Sequence, residues 1–137
     1  MKIDNCIINK LTFMKVIFPL FYGFFVVALG DKLSFPMFAY LLIALLNLET
    51  SALGIIGYGS IFYLMFTGFY HFDKNWNYRL TIVCSLALVL LTAIPIYCNI
   101  INGGRYVFIF IAIALLMAAF VIYGSILGLR ILKFAKD

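Results

Sequence analysis

The chain has 137 residues, of which 66% are hydrophobic and only 11% charged, with a formal net charge of +5. A soluble domain is about half apolar and about a quarter charged, and one of this size leaves much of its surface in water, so the composition excludes an ordinary soluble fold. Unbroken apolar runs of roughly 20 residues exclude the alternating strands of a membrane β-barrel and point to a single-domain, all-α integral membrane protein.

The ten basic residues sit almost wholly in tails and short loops, with no dense Lys/Arg block. The positive balance therefore reads as membrane topology, and no nucleic acid is expected as a partner. Cys6, Cys84 and Cys98 show no C-x-x-C spacing, so neither a disulfide framework nor a metal motif is expected. Within an apolar run, thiols such as Cys84 and Cys98 behave as small apolar side chains.

Taken in order, residues 1–15 read as a polar, basic head in which Lys2, Lys10 and Lys15 outnumber Asp4. The first membrane helix is expected at about 13–30, with Pro19 about a turn inside its apolar run. A basic start, an apolar middle and Ala28-Leu29-Gly30 also have the make-up of a signal peptide; the stretch is taken here as a retained helix. After the turn at Asp31-Lys32, Ser34-Phe35-Pro36 opens a shorter apolar helix over 34–48, its regular part about 35–48. The dozen residues from Met37 span about 18 Å, short of the ~30 Å hydrocarbon core. This helix is expected to be re-entrant or interfacial, or to make a fifth crossing if it runs from Leu33 to Thr50.

The break at Asn47-Leu48-Glu49-Thr50-Ser51 separates it from the next span, 52–71, which Thr50 or Ser51 can cap. A central loop is expected from His71 to Arg79, flanked by Tyr70, Trp76 and Tyr78 at headgroup level. Spans at about 80–98 and 106–129 follow, separated by a turn at 99–104, and a basic tail closes the chain. The fold expected is a bundle of four transmembrane helices plus the shorter helix.

Charge supports four crossings over five. With four, Lys2, Lys10, Lys15, Lys74, Arg79, Arg130, Lys133 and Lys136 share one side against Lys32 and Arg105, a split of eight to two. Five crossings split the same residues six to four, which hardly obeys the positive-inside rule. The expectation is a cell (inner or plasma) membrane protein with both termini cytoplasmic.

Three faces carry the candidate sites. Glu49, Ser60 and His71 are spaced at close to three helical turns, so a helix running through Glu49 would align Glu49, Ser60, Thr67 and His71 as an intramembrane polar stripe. An ionised group at mid-membrane costs roughly 2.5–3.5 kcal/mol and needs a reason, whereas a Glu49 in a turn at the membrane boundary meets water. On the last span, Ala114, Ala118, Ser125 and Gly128 share one face with Gly124 at its edge. The pairs Ala114-x-x-x-Ala118 and Gly124-x-x-x-Gly128 allow close helix approach, within the bundle or across a homodimer seam. On the third full-length span, Thr81, Cys84, Ser85, Leu88, Thr92 and Pro95 form a weakly polar stripe, suited to interhelical or back-bonded hydroxyls, or to a water path.

No nucleotide loop, nucleophile elbow, zinc-protease motif or acidic pair is present, and no catalytic, metal or cofactor site is expected. The first functional expectation is a non-catalytic helper acting by helix contact in the bilayer: an accessory subunit, scaffold or immunity-type inhibitor, partnered by an unlike membrane protein or by copies of itself. The alternative is a small homo-oligomeric ion or proton channel or carrier using Glu49. A third is a holin-like lysis protein.

Overall fold

The structure is a computed structural model that describes residues 2–29, 34–70, 74–102 and 107–134. Those residues form six helices and two short strands: α1 (Lys2–Phe25), β1 (Val27–Leu29), β2 (Ser34–Pro36), α2 (Met37–Leu46), α3 (Ser51–Phe69), α4 (Asn75–Leu91), α5 (Ala93–Asn102) and α6 (Val107–Phe134). Among them, α3 and α6 are long and apolar enough to cross a membrane.

The expected polar head is itself helical. Leu11, Lys15, Phe18, Tyr22 and Val26 are all buried, at spacings of four and three residues that put them on one side of a helix. Asn9 and Lys10 face outward and are exposed. The helix begins at Lys2 rather than at about 13 and ends at Phe25 rather than 30. Pro19 lies inside it and lacks the N–H that would reach the Lys15 carbonyl.

An antiparallel ribbon replaces the helix ends expected near 30 and 34. Val27 pairs with Pro36, Ala28 with Phe35 and Leu29 with Ser34. Met37 N–H donates to the Val26 carbonyl at 2.9 Å, so the ribbon satisfies backbone groups that two fraying helix ends would leave open. The helix expected over 34–48 is thereby shortened to 37–46, about 15 Å at helical rise.

Met37, Leu41 and Ala44 form the buried face of α2, which runs antiparallel along α3. A Cβ on Gly54 would lie 2.7 Å from the Leu45 backbone nitrogen, and one on Gly57 would lie 2.6 Å from the Leu41 side chain. At Gly54 the neighbour is backbone, which cannot swing aside as the Leu41 methyls can, so that position requires glycine. The Tyr58 hydroxyl donates to the Phe38 carbonyl at 2.6 Å and ties the start of α2 to the middle of α3.

Neither hydroxyl of the intervening turn caps α3. Thr50 Oγ1 donates back to the Ala44 carbonyl at 3.1 Å and Ser51 Oγ to the Leu48 carbonyl at 3.2 Å. The turn is secured to α2 instead, because the last carbonyls of that short helix need donors.

The central loop is shorter than the polar sequence suggests, since α4 begins at Asn75. Asn77 and Tyr78, expected in the loop, are buried on its first turn. The span expected at 80–98 is interrupted at Thr92. Its N–H is shared between the Leu88 and Val89 carbonyls, both at 3.1 Å, and Pro95 has no N–H to offer the Leu91 carbonyl. Ile96 N–H returns to Thr92 at 3.2 Å, so the interruption is one residue wide, and α5 continues to Asn102 through part of the turn expected at 99–104. At the other end, α6 extends five residues past the expected 129, taking in Arg130 and Lys133.

The longer helices form a closed ring of neighbours, in which α1 and α4 each pack against α3 and α6. Leu11 fits against Gly124 while the rings of Phe25 and Phe110 lie 5.9 Å apart, so α1 and α6 are antiparallel. Val16 meets Gly68, and Tyr78 meets Gly128. The first half of α1, the end of α3, the start of α4 and the end of α6 therefore share one end of the ring. Lys10, Lys74, Arg79, Arg130 and Lys133 are exposed at that end. The α2–α3 turn with Glu49 lies at the other.

Candidate functional site

The candidate site grows out of the buried row of α1. Lys15 is 0% exposed. Its Cβ lies 3.3 Å from where a Cβ on Gly68 would stand, so its stem runs beside the last turn of α3. From there Nζ reaches a point 5.7 Å from the centroid of the Tyr78 ring on α4, within cation–π range. The ring in turn lies against α6, where a Cβ on Gly128 would sit 2.5 Å from Tyr78 Cε1. One lysine and one tyrosine thus link all four helices of the ring.

Hydroxyl and amide groups of α3, α4 and α6 are buried at neighbouring positions along the same helices. Tyr63 on α3 donates to Asn77 Oδ1 at 2.9 Å, with the Asn77 carbonyl 3.3 Å away. Thr81, one turn further along α4, donates to that same carbonyl at 2.8 Å. Asn77, Thr81, Thr67 and Ser125 are all buried. Thr67 Oγ1 bonds to the Tyr63 carbonyl at 3.0 Å and Ser125 Oγ to the Val121 carbonyl at 2.8 Å. Such back-bonding satisfies a hydroxyl inside its own helix.

Of the residues expected to form one polar stripe, Ser60 and Thr67 share the inner face of α3, and Glu49 lies off that helix. Glu49 is exposed in the α2–α3 turn, where its N–H donates to Asn47 Oδ1 at 3.2 Å. It precedes α3 rather than lying on it, so the continuous helix that would align it with Ser60 does not exist. Ser60 and Thr67 are buried on the inner face of α3. About 24 Å of helix separates the α2–α3 turn from Thr67 at helical rise. His71 lies outside the described residues. On α6, Ala114, Ala118, Gly124, Ser125 and Gly128 are all buried within the chain, with Gly124 against Leu11 and Gly128 against Tyr78.

Sequence reasoning missed Lys15 and Asn77 as interior groups. Polarity alone places Lys15 in a head and Asn77 in a loop. The signal for Lys15 was its position four residues after Leu11 and three before Phe18, within a row of apolar side chains.

Two further buried hydroxyls, Tyr22 Oη and Ser85 Oγ, have no partner among the described residues. Nor do three or more His, Cys, Asp or Glu side chains gather there as metal ligands. The arrangement offers a buried cation and a hydrogen-bonded polar cluster at the basic end of a helix ring, with no nucleophile–base pair. No protein family, curated protein or solved structure matches this chain, and its functional reading rests on that geometry.

Proposed function

We propose that this chain is a multi-pass membrane protein with four crossings, made by α1, α3, α4 with α5, and α6, and with its basic end in the cytoplasm. In this reading α2 is a half-length helix packed along α3, and the protein is a non-catalytic helper that recognises an unlike membrane protein through its lipid-facing helix surfaces.

The observation that carries the reading is how the polar and small-residue faces are used. The threonine and serine hydroxyls of α3, α4 and α6 bond mainly to their own helices, which suits packing better than a water path. The small-residue face of α6 is occupied within the chain and is not left open as a homodimer seam. What remains outward is large and apolar: Phe62 and Phe66 on α3, Val83 and Leu90 on α4, Leu116 and Tyr123 on α6 are each at least half exposed. Water would penalise that surface, whereas lipid or another membrane helix would not.

Oligomeric state in mild detergent tests this. A monomer, or a complex formed only with an unlike membrane protein, is the expected result. A symmetric homo-oligomer whose ion flux falls on Glu49→Gln would replace the helper by a channel.

A further inference from the structure

A groove opens between α1 and α6 at the basic end. Leu11 and Gly124 form its floor, Phe120, Tyr123 and Leu127 line its α6 side, and Lys10 stands at its α1 edge. Its volume is about 290 Å³. At 100° per residue, Leu116, Phe120, Tyr123, Leu127, Arg130 and Phe134 fall in one row of α6, so the apolar wall continues within one turn to a cation. Lys10 and Arg130 are both exposed. Among the described residues, no acidic side chain lines the groove.

From this we infer that the α1–α6 groove is a binding site for one anionic phospholipid of the surrounding leaflet. An acyl chain lies along Leu11, Phe120 and Leu127, and the phosphate is held by Lys10 and Arg130. The inference rests on the membrane reading above. Charge argues for the occupant: an apolar slot with Lys10 at its edge and Arg130 one helical turn past Leu127 matches an amphiphile with a negative head, whereas an apolar partner helix would offer these cations no counter-charge. Basic pockets between membrane helices on the cytoplasmic side bind anionic headgroups by the same physics. Glycine at 124 keeps the floor deep, because a Cβ there would lie 2.9 Å from Leu11 Cδ1.

Native mass spectrometry of the full chain, offered equal amounts of phosphatidylglycerol and phosphatidylcholine in micelles, tests the site. Wild type is expected to retain phosphatidylglycerol about tenfold over phosphatidylcholine. Lys10→Gln with Arg130→Gln is expected to abolish that preference with helical content unchanged. Lys74→Gln with Arg79→Gln, equal in charge and at the same end, is expected to keep it. A photoreactive group at position 127 is expected to capture lipid.

Equal retention of both lipids by wild type would overturn the site. So would equal loss in the two double variants, or capture of protein at position 127 in place of lipid. A chain that stays folded and dispersed without any amphiphile would instead remove the membrane reading itself, which separates the two failures.

Discussion

Lys15 on α1 and Tyr78 on α4 meet inside the helix ring, with Nζ 5.7 Å from the ring centroid. Neither belongs to an apolar run, yet both are fully buried. A buried ammonium is costly, and a cation–π contact returns only about 0.5–2 kcal/mol. The four-carbon stem of the lysine and the tyrosine ring supply packing area as well as charge.

Substitution separates the two contributions. Lys15→Met keeps the stem and removes the charge, and is expected to leave stability within about 1 kcal/mol of wild type or to raise it. Tyr78→Ala empties the space against Gly128 and is expected to cost about 3–5 kcal/mol. Denaturant unfolding in detergent, followed by helical circular dichroism, checks both. Equal losses would mean that the charge, and not the packing, joins the helices.

Close approach of α2 to α3 predicts a glycine contrast. Gly54→Ala forces its methyl against the Leu45 backbone and is expected to cost about 1–3 kcal/mol. Gly59 has nothing within 4 Å of where a Cβ would stand, so Gly59→Ala is expected to be neutral or to stabilise α3 by up to about 1 kcal/mol. Unfolding midpoints of the two variants, read side by side, decide the matter, and equal shifts would deny the packed hairpin.

The contact between Tyr63 and Asn77 makes a third prediction. Tyr63→Phe removes one hydrogen bond from a buried amide and is expected to cost about 1–3 kcal/mol. Tyr63→Phe with Asn77→Leu is expected to cost less than the sum of the single changes, since each single change already removes the bond the two groups share. A double-mutant cycle on unfolding free energy measures the difference, and strict additivity would show that the pair is not coupled.

The parts of the fold legible in the sequence are those where one physical signal acts alone. Small residues at fourfold spacing marked the inner face of α6, and Thr81, Ser85 and Leu88 marked that of α4, because periodicity is visible without knowing the neighbours. The break before Ser51 followed from helix length against bilayer thickness. Competing signals hid the rest. Lys2, Asp4 and Asn9 outweighed the inward row of α1, so the helical register that buries Lys15 went unseen. Asn75, Asn77 and Arg79 read as loop because the aromatic rings between them suited a headgroup layer equally well. The β1–β2 ribbon depends on pairing across 30–33, which no local pattern announces. Glu49 was aligned with Ser60 by assuming a continuous helix, and the hydrogen bonds of Asn47, Thr50 and Ser51 end that helix locally.

The account's central claim is the four-crossing arrangement in which α2 packs back along α3. Its most direct test is side-specific labelling of single thiols in oriented vesicles, with Cys84 and Cys98 replaced by alanine, and Cys6 as well wherever another thiol is introduced. Native Cys6, which is exposed, and a thiol introduced by Lys74→Cys are expected to react from the same side of the membrane, and one introduced by Glu49→Cys from the opposite side. Reaction of Cys6 and position 74 from opposite sides would contradict the claim, since that pattern requires an odd number of crossings between them.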